Sequence, residues 1–151
     1  MANAWLDSKL LLRLLLPAQD PAEYAAAWEL CSKVPQPWSL PHWQCLWIEQ
    51  GLRQQTSSHD ADAANSARNA LKLWSNWLAE EIVLPLSQGG PDACELALHW
   101  GRTAAGAPLP AGRLLEPALA AALRCPQFAS LDPRVRSLAK RVGLRLLPAR
   151  L

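Results

Sequence analysis

His42 and Cys45 stand three residues apart, the spacing at which two side chains of one helix can grip a single metal ion. Cys94 and His99 offer a second pair, but five residues apart on a helix they point away from each other. A four-ligand zinc centre would need both pairs to converge, so no metal site is expected. His59 lies beside Asp60 and Asp62 in a polar stretch that reads as a helix start. For nucleophilic catalysis there is no Gly-x-Ser-x-Gly elbow and no Cys/His signature. Glu80 and Glu81 are adjacent and so diverge, while Glu23 and Glu29 occupy positions typical of solvated helix faces. Gly89-Gly90 ahead of a helix suits an anion, but the Lys-Ser/Thr of a phosphate-binding loop is missing and a turn is expected. These residues predict neither an active site nor a cofactor.

Two other groups of residues suit binding. The chain holds eight tryptophans against one Tyr and one Phe. Core packing accounts for five or six of them, since an indole buries a large area and needs one partner for its N–H. Val34–Pro41 is a Pro-rich connector carrying Trp38, and an indole exposed there is the kind of anchor found in protein interfaces. Pro37, Trp38, Trp43 and Trp47 are the candidate partner-binding residues. The second group is cationic. Residues 1–131 hold nine Lys/Arg against twelve Asp/Glu, while residues 132–151 hold six against Asp132 alone. Arg134, Arg136, Lys140, Arg141 and Arg145 flank an apolar stripe of Val135, Leu138, Ala139, Val142 and Leu146, and are candidates for contact with a nucleic-acid backbone or an acidic partner.

The elements that must carry these groups read as helices throughout. Ala and Leu dominate, and alternating runs of Val, Ile, Thr and Tyr are absent. A strongly apolar first helix is expected from about Asn3 to Leu16, either central in a core or half of an oligomer contact. Asp20-Pro21-Ala22-Glu23 caps a second helix running to about Lys33, with Tyr24, Ala27, Trp28 and Cys31 on one face. A third, about Pro41 to Gln54, places Trp43, Leu46 and Trp47 on one face and pairs Glu49 with Arg53 on the other. The fourth runs from about Asp60 to Leu84, the fifth from Pro91 to Arg102, and a sixth lies between Ala111 and Arg124, kinked or begun by Pro117. The last opens at Asp132-Pro133 and reaches about Leu147.

The expected fold is all-α: one domain over residues 1–151, built as a compact bundle of six to seven helices or as stacked helical hairpins, with a basic C-terminal helix at about 132–147. Half the residues are hydrophobic and 19% are charged, enough for a core without metal or disulfide support. The four cysteines form no Cys-x-x-Cys pair and are expected as reduced, buried thiols. The leucine run before Pro17 is interrupted by Arg13 and is far shorter than the ~20 apolar residues of a membrane span. The expectation is a cytoplasmic, non-catalytic module for protein–protein interaction: an adaptor, assembly factor or accessory subunit acting on a protein partner or as a homo-oligomer. The alternative is a small nucleic-acid-binding subunit that uses the basic C-terminal helix.

Overall fold

The structure, a computed structural model, describes residues 4–17, 19–86, 90–103 and 110–150. The described residues are mostly helical, with seven helices: α1 (Ser8–Leu15), α2 (Pro21–Cys31), α3 (His42–Gln55), α4 (Ala61–Ala79), α5 (Gly90–Thr103), α6 (Ala111–Ala122) and α7 (Pro133–Arg141). The architecture is not purely α. Five short strands join them: β1 (Trp5–Leu6), β2 (Trp38–Pro41), β3 (Val83–Leu86), β4 (Gln127–Ala129) and β5 (Arg145–Leu147). All strand pairs are parallel, in the orders β1-β4-β5 and β2-β3. Parallel pairing requires a crossover, which α3 and α4 supply for β2 and β3, and α7 for β4 and β5.

The strands replace expected helix ends. The first helix begins at Ser8 rather than Asn3, because Trp5 and Leu6 pair with Phe128 and Ala129. The fourth stops at Ala79 rather than Leu84, because Glu81 adopts φ 56° and turns the chain into β3. The last stops at Arg141. Gly143, at φ 85°, donates to the Lys140 carbonyl (3.1 Å), and Leu144 donates to that of Ala139 (3.0 Å), which is a Schellman termination that only glycine makes without strain. Helix starts follow the sequence more closely. Asp20 accepts from the Glu23 amide (3.0 Å), Asp60 from those of Asp62 and Ala63, and Asp132 from that of Arg134. Pro117 lies inside α6, which continues to Ala122.

Contacts divide the chain into two compact units, Ser8–Leu86 and Met1–Asp7 with Ser87–Leu151. In the first, α1 packs against α2, α3 and α4, burying Leu10, Leu11, Leu14 and Leu15, so this leucine-rich helix is a core element. Trp38 closes this core. Its ring meets that of Trp77 edge-on at 5.6 Å, Trp77 meets Trp74 at 6.4 Å, and the Trp38 indole N–H donates to the Val34 carbonyl (3.2 Å). The second unit is built from β1, β4 and β5 with α5, α6 and α7, around Trp5, Leu6, Phe128, Ala129 and Val135. No helix among the described residues is long and apolar enough to cross a membrane.

Candidate functional site

Helix α3 presents the most unusual surface. Its buried side chains are Gln44, Ile48 and Leu52, a spacing of four residues that defines the face turned to the core. One hundred degrees per residue then puts Leu46 and Gln50 on the opposite side, with Trp43 and Gln54 next to them and Trp47 at the margin. Trp47 is 42% exposed and Leu46 60%, while Trp43 is half-buried. The three large apolar residues do share a face, as their spacing predicts, but that face is turned to solvent. Gln44, fully buried, takes the core position instead. No charged side chain interrupts the stripe, and Glu49 and Arg53 neutralise each other at 2.7 Å beside it. With Lys72, Ser75, Asn76 and Leu71 of α4 they line a depression of about 310 Å³ whose charges are largely self-compensated.

The connector residues fall differently. Pro37 is exposed, but Trp38 is a buried residue of β2 and not a solvent-facing loop indole. The strand draws it inward, since its backbone N–H donates to the Ile82 carbonyl (2.7 Å) and its ring completes the Trp77 contact. On α2, Ala27, Leu30 and Cys31 are buried and Trp28 faces out, 58% exposed, contrary to the expected shared face.

Among the basic candidates, Arg134, Lys140, Arg141 and Arg145 are exposed. Arg136 is not. Only 5% exposed, it donates to the carbonyls of Ser130 (2.9 Å), Leu147 (3.0 Å) and Pro148 (2.6 Å), and so clamps β4 to β5 from inside. It is a structural cation, unavailable to an outside phosphate.

Asp7, Arg113, Glu116, Ser130 and Asp132 form a buried ion network that sequence reading missed. Arg113 donates through both Nη atoms to the Asp7 carboxylate, through Nη1 to Glu116 (3.3 Å) and through Nη2 to Asp132 (3.2 Å). The Ser130 hydroxyl also donates to Asp7. Burial pushes the Asp7 carboxyl up, but Arg113 together with Glu116 and Ser130 outweighs it and holds the group below its ordinary 3.8. The partners lie up to 123 residues apart in the chain, so no local pattern reveals them.

His42, Cys94 and His99 are exposed, and Cys45 is half-buried with its thiol 3.9 Å from the Leu40 carbonyl. Among the described residues no group of three or more His, Cys, Asp or Glu could hold a metal ion. All four cysteines are free. Burial pushes the Cys31 thiol up to about 12 and that of Cys45 up to about 11, which keeps both protonated at neutral pH. No family model, curated protein or solved structure matches the chain.

Proposed function

We propose that this chain is a non-catalytic helical interaction module, an adaptor, assembly factor or accessory subunit, that docks a protein partner on the outward face of α3. One observation carries the reading: Leu46 and Trp47 are left in water on a helix that buries Gln44. Leaving a leucine and an indole of one helix in water forgoes the burial that each would gain. That burial is regained where a second surface covers them, and Trp is enriched among the residues that dominate such interfaces. The four unpaired thiols support a reducing, cytoplasmic setting.

A photo-crosslinking residue at Leu46, expressed in the source cell, is expected to capture one discrete partner, and the same residue at Asn69 on α4 is expected to capture none. Trp47→Ala is expected to weaken that complex about 30-fold. It should shift the stability of the free chain by no more than ~0.5 kcal/mol, as an exposed substitution does. Equal capture from both positions, or a complex indifferent to Trp47→Ala, would refute the assignment.

A second reading is favoured by the exposure of Arg134, Lys140, Arg141 and Arg145 on and just after α7. It makes this end of the chain a nucleic-acid contact. Binding to duplex DNA would then weaken steeply with salt, and the Arg134→Glu, Arg141→Glu, Arg145→Glu chain would lose roughly 0.9 from the log–log salt slope for each phosphate contact removed. Absence of binding at low salt rejects this alternative.

A further inference from the structure

The second compact unit is discontinuous in sequence: β1 precedes the whole of Ser8–Leu86, and the rest of the unit follows it. Its edge strand is therefore supplied from a distance. Trp5 and Leu6 lie parallel to β4, in register with Phe128 and Ala129, and both are 1% exposed. The Asp7 backbone N–H donates to the Ala129 carbonyl (3.0 Å), and its carboxylate takes both Nη donors of Arg113 and the Ser130 hydroxyl. This is how a sheet edge receives a peptide: main-chain bonds hold it, and side-chain seats select it. The seats are an aromatic one, an aliphatic one and a two-pronged one for a carboxylate.

None of these interactions depends on the strand and the slot belonging to one chain. The connection between them runs through residues 8–86 rather than through a hairpin, so it contributes only a local concentration of the strand. We propose that the slot beside β4 is a strand-acceptor site, and that it takes Ala4–Asp7 from a second copy of the chain to form a reciprocal, strand-exchanged dimer. Such an exchange keeps every contact of the closed unit and fills both slots, so the assembly stops at two. Asp7 confers selectivity, because only a carboxylate at that position accepts from both guanidinium nitrogens and the hydroxyl together.

The test pairs Leu6→Cys with Ala129→Cys, register partners across β1 and β4, in a full chain carrying Cys45→Ser and Cys94→Ser. The protein is unfolded, refolded at a series of concentrations and oxidised. At the lowest concentration the disulfide is expected within one chain. As concentration rises, a growing fraction is expected to run as a covalent dimer on a non-reducing gel. The unsubstituted chain refolded in parallel is expected to reach twice the 16.6 kDa monomer mass in light scattering. A monomer at every concentration overturns the proposal. So does a dimer whose disulfides are all within single chains, which assigns the contact to another surface such as α3.

Discussion

Replacing Arg113 with Met is expected to cost about 3–5 kcal/mol, as removal of one partner from a buried ion pair does. For a chain of this length that lowers the melting temperature by roughly 6–20 °C. The volume lost is small. What is lost is the guanidinium that bonds both Asp7 and Glu116, which are 1% and 2% exposed. The pH dependence identifies the cause. In the unsubstituted chain Asp7 titrates below its ordinary 3.8, so its contribution is complete above that value and disappears as pH falls through the folded pKa. Without Arg113, burial is the dominant influence on Asp7 and raises its carboxyl. Its ionised form then opposes folding at neutral pH, and stability recovers as pH falls toward about 4. Thermal melts of the two chains between pH 7 and pH 4 are expected to slope in opposite directions. Parallel slopes, or a loss below about 1 kcal/mol at pH 7, would show that the network does not hold β1 and α6 together.

This network also marks the limit of what one sequence discloses. Helix beginnings are local events: an Asp, a Pro and the amides that follow suffice, and Asp20, Asp60 and Asp132 each cap where their neighbours imply. Helix ends are local too, but two of these are written in residues that carry no signal. Glu81 and Arg124 adopt φ 56° and 54°, a conformation associated with glycine, and neither residue type announces it. The helical period of α4 continues to Leu84, so Val83 and Leu84 read as its last turn although they begin β3. The strands, two to four residues long, are too short to show an alternation, and each exists only because a distant segment pairs with it.

The candidate site was half legible for a related reason. The spacing of Trp43, Leu46 and Trp47 places them on one face, but spacing alone does not say whether that face meets the core or solvent. The packing of α3 against α1 and α4 buries Gln44, Ile48 and Leu52 instead. Periodicity specifies which residues travel together around a helix. It specifies which side faces inward only when the two sides differ and nothing else competes for the outer one. On α3 large apolar residues lie on both faces, and the exposure of Leu46 and Trp47 is what makes the outward one a candidate for contact.

The same limit governs Arg136, where the expected result is a loss of stability and not of binding. Arg136→Met is expected to cost roughly 3 kcal/mol, because hydrogen bonds from a charged donor are worth about 1.5–3 kcal/mol each and do not sum fully. Three carbonyl oxygens, those of Ser130, Leu147 and Pro148, lose their guanidinium together, and β5 loses its tie to the end of β4. Arg141→Met, on an exposed position of the same helix, is expected to change stability by ~0.5 kcal/mol or less. If the basic end contacts nucleic acid, the two substitutions separate in the other direction as well. Arg141→Met lowers the salt slope by about 0.9, while Arg136→Met, assayed well below its melting temperature, leaves the slope unchanged. Urea unfolding and salt-dependent anisotropy on the same two proteins therefore divide the cations of α7 into one that holds the fold and those that face a partner. Equal stability losses at both positions, or a slope that moves with Arg136, would place the Arg136 guanidinium at the surface and leave β5 to be held by its backbone pairing alone.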